Sequence, residues 1–223
     1  VPKLTNVQAT ETETLAGCIK MKLLFENWRG YLAEGEGMKT PAHLAKEAPD
    51  VYVAIIEQGI DAGFYYADKD GERLKSGPVT GFVFIQNYEE DCNDAWAIKK
   101  TEATKGWGPL LYDVAMEYAT EKGAGLAPDR GKVTSDALKV WEFYLSNRKD
   151  DVKSHQLDDL NNTLTNPETD NCMQMSAKKH AGDKWPGSPL SKRYTKDKPD
   201  MMTQLEKMGK LKVVKDIQKA KLS

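Results

Sequence analysis

The sequence has few cysteines and histidines, and their scarcity excludes several kinds of site. Among 223 residues there are three of each. The cysteines Cys18, Cys92 and Cys172 lie far apart and show no CxxC spacing, so we expect neither a disulfide framework nor a zinc site. No two histidines stand four residues apart, the spacing at which a helix presents two imidazoles to one metal. We therefore expect no bound metal and a reducing compartment.

Long apolar runs and an excess of charge of one sign are also absent. No run approaches the ~18 apolar residues that span a bilayer. The N-terminus lacks a basic flank followed by an apolar core, so we expect no signal peptide. The 32 basic and 34 acidic side chains leave a formal charge of -2, whereas general nucleic-acid binders are normally basic. These features predict a soluble, cytoplasmic protein with no membrane partner and no nucleic-acid partner.

Residue 150 marks a change in composition. The first 150 residues alternate apolar and charged segments and are long enough for one domain with its own core. The segment 151–223 is richer in Asn, Pro and Gly, and its last part, 199–221, carries apolar residues at a spacing of three to four among many lysines. We predict a domain over 1–150, followed by a loop-rich extension that ends in an amphipathic helix.

Hydrophobic periodicity predicts that helices and strands interleave in the first domain. The predicted helices cover 14–33, a short segment from Thr40 to Pro49, 110–122 and 134–147. The predicted strands cover 51–57, 79–88 and 96–101. Thr40 followed by Pro41 is typical of a helix start, and Thr134 is a suitable N-cap. This order predicts an α/β or α+β fold.

A glycine turn follows the third predicted strand, at Ala103-Thr104-Lys105-Gly106-Trp107-Gly108-Pro109. A strand that enters such a turn and then a helix places backbone N–H groups at the positive end of that helix, where a pyrophosphate can bind. The two glycines allow close approach of the backbone to a ligand. They are also compatible with a turn that only satisfies backbone geometry.

In context, this turn resembles motif A of the GNAT acyltransferases, in which Gln or Arg-x-x-Gly-x-Gly or Ala opens a helix. Ala103 stands at the position of the Gln or Arg, and Lys105 offers a nearby positive charge. Downstream, 134–144 resembles motif B, an Asn or Ser-x-x-Ala-x-x-x-Tyr helix. Trp141 occupies the tyrosine position, and Tyr144 follows one turn later. The resemblance covers 51–147, whereas the last two strands of the family are not evident over 148–175.

The resemblance implies a GNAT-like mixed sheet flanked by helices, with acetyl-CoA or another acyl-CoA as co-substrate. The residues implied to hold the cofactor are Ala103, Thr104, Lys105, Gly106, Trp107 and Gly108. For catalysis we single out Glu102 as a base and Tyr144 as an acid, with backbone N–H groups near Glu102 polarising the thioester. Glu89, Glu90 and Asp94 are further candidate bases, although charged side chains mostly decorate surfaces.

Two further patterns leave alternatives open. Asp129-Arg130-Gly131 suits either a local turn or a substrate contact, and Trp107 suits packing better than cofactor contact. The lysines at 207, 210, 212, 215, 219 and 221 suit a solvated helix face better than contact with nucleic acid or with an acidic protein surface.

The run 105–117, with 129–131 and 148–152, is similar to GNAT-like proteins of tailed bacteriophages. We therefore hold two hypotheses. One is an N-acyltransferase acting on a small-molecule or protein amine. The other is a catalytically reduced structural or interaction protein, for example in a virion, with a partner bound through its C-terminal extension.

Overall fold

A mixed sheet of eight strands lies at the centre of the computed structural model, which describes residues 39–87, 91–130, 132–157 and 187–216. The strands are β1 (Tyr52–Gln58), β2 (Asp61–Ala67), β3 (Gly81–Asn87), β4 (Trp96–Ala103), β5 (Leu126–Ala127), β6 (Lys153–Gln156), β7 (Lys192–Thr195) and β8 (Leu211–Val214). The helices are α1 (Pro41–Glu47), α2 (Gly108–Lys122), α3 (Ser135–Asn147) and α4 (Asp200–Lys207). The expected mixed sheet flanked by helices is confirmed.

The strand order across the sheet is β6-β7-β5-β4-β3-β2-β1-β8. The first four strands form an antiparallel meander, and β5 then pairs parallel with β4. At the opposite edge, β8 pairs parallel with β1. The predicted boundary at residue 150 falls between α3 and β6, and both sides of it contribute strands to this one sheet.

Helix α2 supplies much of the main core. Every residue from Gly108 to Ala119 is buried, so this helix is covered on all sides, as expected for a helix in the interior of a domain. It packs against β2 and β3 and also contacts α4. Its buried stretch includes two carboxylates, Asp113 and Glu117. Buried carboxylates need partners, and the partners of these two come from α3 and from the segment that includes α4.

Several predicted boundaries agree with the structure. The strand expected over 51–57 is β1, and the helix expected after Pro41 is α1. The Thr134 hydroxyl accepts a hydrogen bond from the Ala137 N–H at 3.2 Å and so caps α3. Strand β2 was not predicted from the sequence. It follows β1 through a two-residue turn at Gly59 and Ile60. Gly59 has φ 59°, and a glycine in such a short turn is itself a hairpin signal.

The predicted C-terminal helix is confirmed only over Asp200–Lys207. Gly209, with φ 65°, follows its end, and the chain then continues as β8 instead of as the predicted helix. Val213 and Val214 favour a strand because they branch at Cβ, and β1 offers an edge to pair with. None of the described helices is long and apolar enough to cross a membrane. The helix predicted over 14–33 lies outside the described residues.

Cys92 corrects the expectation for the cysteines, because it is disulfide-bonded. Its side chain is buried with Ala95, Ala97, Ala127 and Leu157 in a small separate core. The other cysteine of this disulfide lies outside the described residues. Sequence spacing cannot indicate such a bond, because a disulfide depends on the approach of two chain segments in space.

Candidate functional site

A cleft opens where β4 and β5 part. These neighbours pair at only two positions, Trp96 with Leu126 and Ala97 with Ala127. Beyond them, β4 continues to Ala103 while the other strand ends. The resulting cleft has a volume of about 200 Å³. One wall is residues 98–102 of β4 and Tyr112 of α2, and the other is Asp129, 132–134 and the face of α3 that carries Ala137, Val140 and Trp141.

A β-bulge lies in the cleft wall. The pairing of β3 with β4 shifts between Phe84, which faces Lys100, and Ile85, which faces Ile98. Lys99 is therefore the extra residue on β4. A bulge interrupts the hydrogen-bond ladder and bends the strand, and this one does so where β4 diverges from β5.

The glycine turn connects this wall to α2. Gly106 has φ 81°, and no atom lies within 4 Å of the position a Cβ would take there. The Thr104 and Trp107 N–H groups donate to the carbonyls of Thr80 (2.8 Å) and Thr104 (3.0 Å). Within the described residues, the N–H groups of Lys105, Gly106 and Gly108 have no such acceptor. Open space, N–H donors and the positive end of a 15-residue helix together fit an anion such as a pyrophosphate.

The segment before β3 holds the turn in place. The Thr80 N–H donates to Thr104 Oγ1 at 3.0 Å, and the two threonine hydroxyls lie 2.8 Å apart. A Cβ on Gly81 would lie 2.8 Å from the backbone of Ala103, so this close approach requires glycine. Ala103 is itself buried, and its methyl group offers no polar contact to a ligand.

Trp107 packs into the core, as the sequence analysis favoured. Its indole is 5% exposed and meets the ring of Tyr66 edge to face, with centroids 5.8 Å apart. The Tyr66 hydroxyl donates to the Trp107 carbonyl at 2.7 Å. The backbone of the turn is thereby tied to β2, while the Lys105 side chain remains exposed.

Of the candidate bases, the structure brings Glu102 to the cleft. Its side chain is exposed and lines the wall beside Thr101. Asp94 precedes β4 and lies at the other end of that strand, away from the cleft. Glu89 and Glu90 are outside the described residues.

In the segment 129–131, Asp129 lies in the cleft lining, whereas Arg130 is buried outside it. Asp129 lines the cleft, and its carboxylate accepts from the Lys132 N–H at 3.3 Å. Arg130 is buried and donates to the Leu190 carbonyl at 2.9 Å, so it anchors a distant segment. Gly131 lies outside the described residues.

Tyr144 lies apart from the cleft, behind Trp141. It is 2% exposed, and its hydroxyl donates to Asp113 Oδ1 at 2.9 Å. Burial and the neighbouring Asp113 carboxylate raise the pKa of Tyr144 well above that of a free tyrosine. Trp141 therefore lines the cleft, whereas Tyr144 does not.

Tyr112 is a cleft residue that the sequence analysis missed. It lies on α2, one turn after Gly108, and its hydroxyl is hydrogen-bonded to the Thr101 side chain. Burial raises the pKa of Tyr112 to about 12, so at neutral pH the hydroxyl keeps its proton and can donate a hydrogen bond. The sequence offers only a weak signal for this role, namely a tyrosine one turn into the helix that follows the glycine turn.

Next to the cleft lies a set of charges that we call the buried ion cluster: Asp113, Glu117, Arg148, Asp151 and Lys196. Lys196 Nζ lies 3.0 Å from Glu117 Oε1 and 3.7 Å from Asp113 Oδ2. Arg148 Nη2 lies 3.1 Å from Asp113 Oδ2 and also pairs with Asp151. The cluster joins α2, α3 and the segment after β7.

Glu117 also caps α4. Its two carboxylate oxygens accept hydrogen bonds from the Met201 N–H at 2.9 Å and the Met202 N–H at 2.8 Å. Pro199, at the N-cap position, makes no side-chain capping bond, so a carboxylate from another helix takes that place. Burial raises the pKa of Glu117 even though these donors and Lys196 favour its charged form.

Comparison with known proteins gives no match to any family model, curated protein or solved structure. The described residues contain no group of three or more His, Cys, Asp or Glu side chains that could hold a metal.

Proposed function

We propose that the chain binds an acyl-CoA in the cleft and transfers the acyl group to an amine, as a GNAT-type N-acyltransferase. The observation that carries this proposal is the parting of β4 and β5 after two residue pairs, beside a glycine turn at a helix N-terminus. The pair of features suits a ligand with an anionic end and a long, mostly neutral arm. An acyl-CoA has that form.

In this proposal, the pyrophosphate binds at the glycine turn and the arm lies between β4 and α3. The N–H groups of Lys105 and Gly106 donate to the phosphates, and the Lys105 ammonium adds charge from the exposed side of the turn. Thr80 and Tyr66 hold the turn in position through their hydrogen bonds to Thr104 and to the Trp107 carbonyl, which reduces the ordering that binding would require.

The chemistry is a direct acyl transfer. The amine nitrogen attacks the thioester carbonyl, the C–N bond forms, the C–S bond breaks, and the thiolate leaves. Glu102 accepts the proton that the amine loses. Tyr112 donates a hydrogen bond toward the sulfur. Because a pKa of about 12 lies above that of an ordinary thiol, ~8.5, the Tyr112 hydroxyl stabilises the thiolate without giving up its proton, and the thiolate is protonated from solvent.

Calorimetric titration of the full chain with CoA and with acetyl-CoA tests the proposal. Micromolar binding of both is the expected result. Lys105→Glu places a carboxylate beside the phosphates and should weaken binding at least ~10-fold, since two like charges at contact distance repel strongly in a partly desolvated site. Lys75→Glu makes the same change at an exposed position outside the cleft lining and should leave the affinity unchanged.

Gly108→Glu is the more severe variant of the same test, because it places a carboxylate at the first residue of α2, where we place a phosphate. We expect no measurable binding. Unchanged affinity in both Gly108→Glu and Lys105→Glu would refute the assignment of the turn to pyrophosphate.

A second function, a structural or interaction protein with reduced catalysis, is favoured by one observation. The positions that the family resemblance reserves for polar groups carry Ala103 and Trp141, both buried. No binding of CoA or acetyl-CoA up to millimolar concentration would favour this second function over the first. Proteins of the host cytoplasm or of a virion would then be tested as binding partners of this chain.

A further inference from the structure

Four aromatic rings pack together beside the cleft, and two of them, Tyr112 and Trp141, line it. We call Tyr112, Trp141, Tyr144 and Tyr194 the aromatic block. Trp141 stacks on Tyr194 with ring centroids 5.0 Å apart and meets Tyr112 edge to face at 6.0 Å. All four rings are at most 2% exposed, so none can turn aside without disturbing its neighbours. The neighbouring rings therefore hold the Trp141 side chain in one position, where it forms part of the cleft wall.

The strand register shows which end of the cleft Trp141 occupies. Tyr194, which stacks on Trp141, pairs with Leu126, and Leu126 pairs with Trp96. Trp141 is therefore at the level where β4 and β5 are still joined, the closed end of the cleft. The residues that follow β5, Asp129 and Lys132, belong to the open end.

The glycine turn follows the C-terminal end of β4 and so lies at the open end of the cleft. Helix α3 lines the cleft from Thr134 at its start to Trp141 two turns later. A ligand whose phosphates bind at the turn and whose arm follows α3 inward has its sulfur near the Tyr112 hydroxyl, which is hydrogen-bonded to Thr101, before the arm reaches Trp141. The acyl group then points at the aromatic block.

We propose that Trp141 sets the length of the acyl group, so that the cleft accepts short acyl chains and rejects long ones. This inference rests on the proposed function. An apolar wall discriminates by size, because each methylene beyond the available space must displace a packed ring, and one methylene alone changes affinity ~10- to 200-fold in a hydrophobic pocket. A tryptophan that only fills the core would leave the affinities of short and long acyl-CoA equal.

The test compares CoA, acetyl-CoA and hexanoyl-CoA by calorimetry on the full chain. We expect CoA and acetyl-CoA to bind, and hexanoyl-CoA to bind at least ~10-fold more weakly than acetyl-CoA. Trp141→Leu should remove this difference, because the shorter side chain leaves room for the added methylenes. Trp96→Leu is the matched control. Trp96 is also buried, 4% exposed, but does not line the cleft, and this variant should keep the preference for acetyl-CoA.

Val140→Ala tests the same wall with a smaller change, in case Trp141→Leu does not fold. Val140 lines the cleft next to Trp141 and is 5% exposed, and its truncation should raise the affinity for hexanoyl-CoA a few-fold relative to the affinity for acetyl-CoA. Wild-type protein that binds acetyl-CoA and hexanoyl-CoA equally would overturn the inference while leaving the proposed function intact. If every folded cleft variant still preferred acetyl-CoA to hexanoyl-CoA, the inference about Trp141 would be overturned as well. Wild-type protein that binds no CoA would remove the proposed function and this inference together.

Discussion

The cleft and the buried ion cluster lie on two sides of the same pair of helices, and they use charge in opposite ways. Helix α2 presents Tyr112 to the cleft and the adjacent Asp113 to the cluster. Helix α3 presents Trp141 to the cleft and Tyr144, one turn later, to the cluster. In the cluster, Asp113, Glu117, Arg148 and Lys196 are largely removed from water and pair with each other, and Asp151 joins them from the exposed edge. In the cleft, Lys132 and Glu102 reach solvent. The charges of the cluster hold helices and strands together, whereas the charges of the cleft remain accessible to a ligand.

Asp113→Ala should give the largest effect on stability. It leaves Arg148 and Lys196 without their shared buried carboxylate and Tyr144 without its acceptor. Removing one partner of a buried ion pair costs about 3–5 kcal/mol, and chemical denaturation measures that loss.

Lys153 and Asp197 form a pair of the opposite kind, since their side chains are 65% and 54% exposed. Asp197→Ala should cost about 0–1 kcal/mol. Equal losses for Asp113→Ala and Asp197→Ala would refute the contrast between buried and accessible charge.

Glu117→Gln should have the next largest effect and should change the pH dependence of stability. Glutamine keeps a carbonyl oxygen for one N–H of α4 but leaves Lys196 with less compensation, a loss of about 1–3 kcal/mol. Because the folded pKa of Glu117 is raised above 4.5, the folded state holds this proton more tightly than the unfolded state does.

The stabilising contribution of that proton is present at low pH and is lost as pH rises from about 4.5 through the raised folded pKa. The free energy of unfolding of the wild type minus that of Glu117→Gln should therefore fall over this window. Urea titrations of both proteins at several pH values measure the difference. A difference that rises with pH would contradict the expected sign.

Ala137→Trp should act on the cleft with little effect on the cluster. Ala137 lines the cleft and is partly exposed, so an indole there can occupy the space proposed for the ligand arm. We expect CoA affinity to fall at least ~10-fold, equivalent to about 1.4 kcal/mol, while the melting temperature changes little. Ala42→Trp, at an exposed position of α1, is the matched control, and it should bind CoA as the wild type does.

Thr104→Val should give the smallest effect. It removes the hydroxyl that bonds to Thr80 at a cost of about 1 kcal/mol, and it loosens the glycine turn. CoA affinity should fall a few-fold. A larger loss of CoA affinity in Asp113→Ala than in Thr104→Val, with both proteins folded, would show that the cluster and the cleft are not separate.

The sequence predicted those parts of the fold that depend on local signals. Apolar β-branched runs indicated β1 and β3, and a capping threonine indicated α3. The glycine turn was evident because its conformation requires particular residues at fixed spacing. The roles of Tyr112 and Tyr144 could not be read in the same way, because which tyrosine reaches the cleft depends on how α2 and α3 turn against the sheet. The same holds for Glu117, whose partners Met201 and Met202 are distant in the chain.

The pairing of β8 with β1 has a consequence for synthesis. Protein chains emerge from the ribosome N-terminus first. Among the strands in the described part of the chain, β1 is the first to appear, yet its neighbour β8 is the last. Until residues 211–214 leave the exit tunnel, one edge of β1 lacks β8, the strand that pairs with it, and exposed strand edges favour association between chains. A chain that ends before Leu211 should therefore expose this edge of β1 and aggregate more readily than the full chain.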